Sequence, residues 1–347
     1  MTYFERVQNT AIKDDAVILG IETSCDETAA SVVVGGRKVL SDVIISSAAE
    51  HAKFGGVVPE IASRAHTDAI ASAVDGAIEN AGITLSDIDA IAVTYGAGLL
   101  GALLVGVSYA KTLAYSLGVP LVAVSHIRGH IAAAYIADNG LIPPFISVLA
   151  SGGHTAVSYV SDYDVIKPLG STRDDAVGEA FDKVARVLSL PYPGGPNVER
   201  LAKEGCANIE LPKMLKGEKT YDFSYSGLKT AVINYAHQKR QKGEELSRAD
   251  LAASFQAAAC DVIVEKALAA STKLRVPVIA LGGGVAANGY LRDVFAKKCA
   301  DRSIKCVLPP KSICTDNASM IAAEGYIQYK KRKFATLELN AEASVPL

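Results

Sequence analysis

Several short signatures are missing from this chain, and each absence removes a class of explanation. No Gly-x-x-x-x-Gly-Lys-Ser/Thr segment occurs in its 347 residues, so a P-loop is excluded as a phosphate cradle. No Cys-x-x-Cys pair occurs either. The six cysteines (Cys25, Cys206, Cys260, Cys299, Cys306 and Cys314) are scattered, and a chain of this length does not depend on a disulfide framework, which fits a reducing, cytoplasmic compartment. The net charge is only −2, so charge bias neither advertises nor excludes a nucleic-acid partner. Residues 1–15 are polar and contain no apolar h-region, so they read as a flexible N-terminal extension and not as a signal peptide. The most apolar stretch, 97–124, is interrupted by Lys111 and punctuated by Gly98, Gly101, Gly106 and Gly118. That pattern predicts a buried helix between two buried strands and argues against a membrane span.

What is present is apolar and rich in turns. Half of the chain is hydrophobic and 29 residues are glycine, enough for two cores joined by tight strand-to-helix turns. The pattern occurs twice. Residues 17–21 read as a buried strand, followed by the polar turn 22–28 and a second strand at 30–34; residues 145–149 are followed by the turn 150–155 and a strand at 156–160. The sequel repeats as well: a strand at 90–93, the glycine turn 95–98, a helix and a strand at 121–124 match a strand at 278–281, Gly282-Gly283-Gly284, a helix and a strand at 305–308. Duplication on this scale, with strands and helices alternating, predicts an α/β fold in which each sheet is covered by helices and ligands lie at the glycine turns. Two such units facing each other form the architecture of the actin, Hsp70 and sugar-kinase group, in which both hairpin turns offer backbone N–H groups to phosphates.

Only six histidines occur in the chain, and His126 and His130 stand four residues apart where the strand at 121–124 gives way to a helix. That spacing puts both imidazoles on one helix face, one turn apart, where they can share a divalent metal. The bland alternative is a half-buried helix start with one histidine capping and one solvated. In the zinc-peptidase motif His-Glu-x-x-His a glutamate beside the first histidine is the general base; Ile127 holds that place here, so a peptidase of that type would lack its base. His51 and His66 read as surface or packing residues. Between the repeats lie loops of a different character, 179–183, 192–197 and 221–227, whose Pro/Gly/aromatic composition suits a binding surface. The basic clusters 239–242 and 330–333 are equally well explained as solvated helix ends or as phosphate contacts.

Eight motifs in order, GIETSCDET (20–28), GGVVPEIASRAH (55–66), SHIRGH (125–130), SGGHT (151–155), YPGGP (192–196), DFSYSGLK (222–229), GGGVAAN (282–288) and CTDN (314–317), carry a closer resemblance. Over 16–335 the chain resembles the universal tRNA N6-adenosine threonylcarbamoyltransferase family (bacterial type, TsaD-like), once called O-sialoglycoprotein endopeptidases. The resemblance implies a duplicated actin-like two-lobe α/β fold of the ribonuclease H-like group, with nucleotide and metal in the interlobe cleft. It implies a first lobe of 16–124 plus 311–335, a second of 125–310 carrying the family's insertions, and a tail of 336–347. It further implies that His126, His130 and Asp316 hold one divalent metal, Fe(II) or alternatively Zn(II). Substrate contacts fall on Leu149, Ala150, Ser151, Gly152, Gly153, Asp182, Gly195, Glu199 and Asn288; other members carry different residues at the position of Glu199. One departure is visible: many relatives have glutamate where Arg128 stands, and a positive side chain there would point off the ligand face.

The implied reaction transfers a threonylcarbamoyl group from threonylcarbamoyl-adenylate to N6 of the adenosine 3′ of the anticodon (position 37) in tRNAs reading ANN codons, forming t6A and releasing AMP. Bacterial partner proteins, an inactive paralogue (TsaB) and a small ATPase (TsaE), are implied for tRNA docking and cycling, and ATP or ADP is a further candidate ligand. The helix within 98–117, with its alanine and glycine face, could pack against another protein's helix, although burial in its own lobe accounts for it more economically. Asp26 and Glu27 are candidate catalytic groups that could accept a proton from the attacking amine, but a turn bearing two acids is equally an ordinary solvated loop. Two rival activities keep the same features: a metallopeptidase, supported only by the histidine pair, and an ATP-binding actin-like kinase or chaperone, which would not place a His-His-Asp site beside its nucleotide. A third rival, a catalytically inactive scaffold subunit, is at odds with the complete ligand and glycine motifs.

Overall fold

The structure, a computed structural model, describes residues 3–215 and 218–345. The chain divides into two compact units, the first comprising 3–142 with 316–345 and the second 143–315. In the first, helix α1 (Tyr3–Gln8) precedes strands β1 (Val17–Glu22), β2 (Glu27–Val34) and β3 (Lys38–Ser46). Helices α2 (Ala48–Ala52) and α3 (Pro59–Ala81) lead to β4 (Ala90–Gly96), α4 (Leu100–Leu117), β5 (Leu121–Ser125) and α5 (His126–Ala137). The second unit runs β6 (Phe145–Ala150), β7 (Thr155–Asp162), β8 (Val165–Ser171), α6 (Val177–Val187), α7 (Gly194–Ala202), α8 (Ser226–Gln241), α9 (Arg248–Leu274), β9 (Val278–Gly282), α10 (Gly289–Ala300) and β10 (Lys305–Val307). The chain then returns to the first unit as α11 (Ala318–Lys330).

Each unit has a five-stranded sheet, and the two share one topology: β3-β2-β1-β4-β5 and β10-β9-β6-β7-β8, the second written in reverse sense. In both, the first three strands form an antiparallel meander, the fourth pairs in parallel with the first, and the fifth pairs in parallel with the fourth. The duplication read from the sequence is therefore a duplication of topology. Strands β1, β4 and β6 are near-continuous apolar runs and buried along their length; α4 and α11 both pack on β1 and β4, and α9 packs on β6. In the first unit, α3 and α4 pack on one face around Leu19, Ile21, Val32, Ala73, Leu103 and Val107. On the other face Ile18, Val33, Ala92, Val124 and Ala133 meet Met320 and Ile321 of α11. Helix α3 starts at Pro59 and ends on Gly82 in the left-handed conformation (φ 67°), and α4 ends likewise on Gly118 (φ 70°), the N-terminal proline and C-terminal glycine that stop helices cleanly.

Several boundaries differ from those expected. The division falls at 142/143 and not at 124/125, because α5 packs on α11 within the first unit; at the other end it falls at 315/316 and not at 310/311. The N-terminal segment is packed and not a free extension: Tyr3 and Val7, one turn apart on α1, are buried, and Tyr3 Oη donates to Val119 O at 2.7 Å. The tail is also packed. Glu342 N donates to Tyr95 O at 2.8 Å, Gly98 N to Ala343 O at 3.1 Å, and Ala341 and Val345 are buried; residues 1–2 and 346–347 of these two segments lie outside the described residues.

His51 and His66 are both buried, so they are packing residues and not surface ones: His66 Nδ1 lies 2.7 Å from Thr28 Oγ1, and His51 Nε2 lies 3.1 Å from Ser47 Oγ. Two of the three aromatics of 221–227 are likewise core, and the third, Tyr221, is half-buried. Phe223 and Tyr225 are fully buried and stacked with centroids 6.3 Å apart, held by the run Arg173-Asp174-Asp175. Asp174 accepts from Tyr225 N at 2.7 Å and from the hydroxyls of Ser224 and Ser226, while Arg173 pairs with Asp222 and Asp175 with Lys229. Helix α4 is the one described helix long and apolar enough to cross a membrane; it lies on β4 and α3 with Ala102, Leu103, Gly106, Val107, Ala110 and Ala114 buried, and Leu100, Leu104 and Tyr115 exposed. The basic clusters have partners inside the chain: Lys330 pairs with Asp14, Arg332 donates to Gln8 O, and Lys239 pairs with Glu244. All six cysteines are free thiols.

Candidate metal centre and ligand-binding turns

Strand β5 ends at Ser125 and α5 begins at the next residue, so His126 and His130 occupy the first two turns of a helix at a strand's C-terminal end. Their rings meet edge to face with centroids 4.6 Å apart. Asp316 comes to them from the start of α11. Its neighbour Asn317 caps that helix, its side chain accepting from Met320 N at 2.9 Å, which fixes the backbone on which Asp316 stands. The Asp316 carboxylate Oδ1 lies 3.2 Å from His130 Nε2 and 3.5 Å from His126 Nε2. One ligand atom from each residue lies within 4.8 Å of the other two, and all three residues belong to the first unit.

Two features let α5 and α11 come this close. Gly129 faces Ile321 and Met320, and a Cβ there would lie 2.7 Å from Ile321 Cδ1. Beside it Arg128 Nε donates to Glu324 Oε1 at 2.6 Å, and Gln328 Nε2 donates to the same oxygen at 2.5 Å. Arg128 therefore points off the ligand face, as expected, and is spent on a buried acid of α11.

Glu22, at the end of β1, is fully buried behind His126. Its oxygens accept from Ser24 N at 2.5 Å and Thr94 Oγ1 at 2.5 Å, and Oε2 lies 3.2 Å from His126 Nδ1. Burial opposes its charge, but the His126 imidazole and these hydrogen bonds outweigh it, so its carboxyl titrates below the usual range. Burial likewise disfavours the imidazolium of His126, yet the Asp316 and Glu22 carboxylates overcome it and raise its pKa to about 9. His130, buried and beside His126, is held below the ordinary value.

These residues fit a divalent metal. Both ring nitrogens of His130 are buried without a hydrogen bond of acceptable geometry, an arrangement costly for a polar group unless something else takes the lone pair. Two imidazoles and a carboxylate suit Fe(II), Zn(II) and similar ions and leave coordination positions for substrate oxygens.

The acids of the first turn are half-buried, so the fully solvated reading does not hold for them. Glu27 opens β2, and burial, reinforced by Asp26, raises its pKa to about 9; it carries a proton at neutral pH.

In the second unit, the expected contact residues converge through successive helix starts. Leu149 and Ala150 end β6 and are buried; Ser151 N donates to His154 O at 2.8 Å, closing a turn at which Gly152 and Gly153 face open space. The start of α6 abuts this turn, for a Cβ on Gly178 would lie 2.7 Å from Ser151 O. From α6, Asp182 Oδ1 accepts from Gly194 N at 2.7 Å at the start of α7, and burial raises its pKa despite that bond. From α7, Glu199 Oε1 accepts from Gly289 N at 3.2 Å at the start of α10 and pairs with Lys203 at 3.3 Å. Asn288 caps α10, accepting from Leu291 N at 3.0 Å, and donates to Gln256 Oε1 at 2.9 Å. Asp182, Glu199 and Asn288 thus brace the second unit's helix starts, while Gly152, Gly153 and Gly195 leave backbone open to a ligand. At the matching turn after β9, Gly283 has φ 91° and a Cβ there would lie 2.5 Å from Ala150 O, so only glycine fits.

The family model described as tRNA N6-adenosine threonylcarbamoyltransferase matches residues 38–323. The chain belongs to that family. A tRNA N6-adenosine threonylcarbamoyltransferase of Moorella thermoacetica is 54% identical over 331 residues, covering 95% of this chain and 97% of the relative. One from Clostridium botulinum (strain 657 / Type Ba4) is 50% identical over 337 residues, 97% and 99% of the two chains. The segment matched by the threonylcarbamoyltransferase model includes His126, His130, Asp316 and every expected contact residue of the second unit, and begins after the first hairpin. Among solved structures, full-length HypF in its phosphate- and nucleotide-bound form superposes with a TM-score of 0.62 at 15% identity over 93% of this chain and 56% of that one. The component A of Acidaminococcus fermentans (R)-2-hydroxyglutaryl-CoA dehydratase gives 0.53 at 13% identity, covering 91% and 99%. These likenesses establish the duplicated actin-like α/β fold.

Sequence reading had missed Glu22, Thr94 and the partner of Arg128. The signals were present: an acid ending the apolar run Val17-Ile18-Leu19-Gly20-Ile21, and a lone acid, Glu324, inside an otherwise uncharged stretch of α11.

Proposed function

We propose that this protein transfers the threonylcarbamoyl group from threonylcarbamoyl-adenylate to N6 of adenosine 37 in tRNAs reading ANN codons, in the cytoplasm. The observation that carries the reading is the His126/His130/Asp316 cluster in a chain 54% identical, over nearly its whole length, to a protein of that name. In the reaction, N6 attacks the carbamoyl carbonyl carbon, a C–N bond forms, the bond to the adenylate phosphate oxygen breaks, AMP leaves, and N6 loses one proton.

AMP is a good leaving group, so positioning is the larger part of the task. The backbone N–H groups around Gly152, Gly153 and Gly195 are the proposed phosphate and ribose contacts, together with Leu149, Ala150, Ser151, Asp182, Glu199 and Asn288. Asp26 is the group proposed to take up the N6 proton, with Glu27, which keeps its own proton at neutral pH, as a hydrogen-bond donor in the same turn. His126, His130 and Asp316 would hold Fe(II) or Zn(II), which supplies Lewis-acid polarisation of substrate oxygens. The proposed partners are tRNA, the inactive paralogue and the small ATPase, with ATP or ADP as a further ligand.

The test is reconstitution: the protein, its partner proteins, threonine, bicarbonate, ATP, the adenylate-forming enzyme and unmodified tRNA are incubated and the tRNA is digested to nucleosides. Threonylcarbamoyladenosine in the mass spectrum is expected. Its absence, with a homologous control enzyme active in the same mixture, would overturn the assignment.

A further inference from the structure

Glu22 lies outside the ligand set, yet it is the most enclosed charged group around the candidate metal centre. Its carboxylate is fully buried, and each of the three groups at hydrogen-bond distance from it can give it a hydrogen. Ser24 N, which can only donate, binds Oε1 at 2.5 Å; Thr94 Oγ1 binds Oε2 at 2.5 Å; and His126 Nδ1 stands 3.2 Å from Oε2. A ring nitrogen facing an ionised carboxylate carries the hydrogen, since the carboxylate has only lone pairs to offer. When the ring gives up one proton to bind an ion, Nε2 is therefore the nitrogen left with a free lone pair, and it is the one turned toward Asp316 at 3.5 Å.

We propose that Glu22 is a positioning residue that fixes His126 as the Nδ1–H tautomer and so presents the Nε2 lone pair to the metal. The inference rests on the metal-site reading above. A competing partner exists in Ser24, whose hydroxyl lies 3.1 Å from the same Nδ1 but, being able to donate as well as accept, imposes no tautomer by itself. Glu22→Gln is nearly isosteric and reverses the logic. Because Ser24 N must still find an acceptor, the amide oxygen stays on the Oε1 side and the NH2 group turns to Thr94 and His126. Thr94 can rotate its hydroxyl to accept; Nδ1 must also accept, which moves the hydrogen to Nε2 and blocks the ligand atom.

The experiment titrates Zn2+ into the metal-stripped full chain by calorimetry or by competition with a chromogenic chelator, for wild type, Glu22→Gln, Ser24→Ala and His126→Ala, with circular dichroism checking the fold of each. Outer carboxylates on metal-bound histidines typically contribute about 10- to 100-fold in affinity. A loss in that range is expected for Glu22→Gln, with Ser24→Ala close to wild type. Wild-type affinity in Glu22→Gln, while His126→Ala has lost the metal, would overturn the role of Glu22 alone. Undiminished affinity in His126→Ala would overturn the metal-site reading itself. If Glu22→Gln fails to fold, 15N-detected spectra of the zinc-loaded wild type decide: a hydrogen on His126 Nδ1 is expected, and a metal-bound Nδ1 would refute the proposal.

Discussion

Arg128→Met should unlock the first unit, and the structure sets the size of the effect. Arg128 Nε and Gln328 Nε2 both serve the single oxygen Oε1 of Glu324, a side chain only 2% exposed, while the Arg128 side chain is 18% exposed. Removing one partner of a buried ion pair costs about 3–5 kcal/mol, because the other charge is left in a low-dielectric site. Gln328 remains as a donor, so about 3 kcal/mol is the fitting end of that range. For a unit of this size each kcal/mol moves the melting temperature by about 2–4 °C, which gives a drop of about 6–12 °C. The loss should depend on pH. Burial already raises the pKa of Glu324, with Arg128 opposing, so without Arg128 it rises further. Below the unfolded carboxyl value both states hold the proton and the variant is little affected; as pH rises, the folded variant must either keep a proton that the unfolded chain gives up or bury an unpaired charge. Differential scanning fluorimetry at pH 5 and pH 8 should show the larger deficit at pH 8, and Arg128→Met/Glu324→Leu should recover most of it. A melting temperature within about 2 °C of wild type at pH 8, or a deficit that ignores pH, would refute the argument.

Metal uptake should also follow pH. His126 titrates at about 9 in the metal-free protein, so at neutral pH the ion must displace a proton, and the apparent zinc affinity should rise by up to about tenfold per pH unit between 7 and 9; a flat profile contradicts this. If protonated Glu27 assists the reaction, the rate should fall as pH climbs through about 9, and Glu27→Gln should remove that limb of the profile; an unchanged limb assigns it elsewhere. Asp182→Ala deprives the start of α7 of its acceptor and should cost about 0.5–2 kcal/mol in urea melts, with a higher KM for the adenylate. An unchanged KM would leave Asp182 a purely structural cap.

The sequence carried the architecture well because the periodicities were strong. Strands such as Val17–Glu22 and Phe145–Ala150 are unbroken apolar runs ending in small polar turns, and their repetition predicted the matching topology of the two sheets. The His126/His130 pair was legible for a similar reason, since four-residue spacing on a helix is local geometry. Asp316 was not: it stands 186 positions after His130, and only the resemblance to a known family joined them. The roles of Glu22 and Arg128 were hidden because a buried acid's partner is chosen by tertiary packing, and nothing near Glu22 in sequence points to Thr94 or His126. The aromatic loop 221–227 misled for the converse reason: its composition suits a binding surface, but Asp174 collects its hydroxyls and amides and turns Phe223 and Tyr225 inward. The packed first and last segments escaped notice because their apolar residues are too few to show a period.

The most direct test strips the metal with a chelator, confirms its removal by elemental analysis, and measures threonylcarbamoyladenosine on tRNA before and after adding one equivalent of Fe(II) or Zn(II) under anaerobic conditions. The stripped wild type should make no product and recover with one ion per chain, while Asp316→Ala, though folded, should recover none. Full turnover by the stripped wild type, or normal rescue of Asp316→Ala, would contradict the assignment of His126, His130 and Asp316 as the metal centre of this transferase.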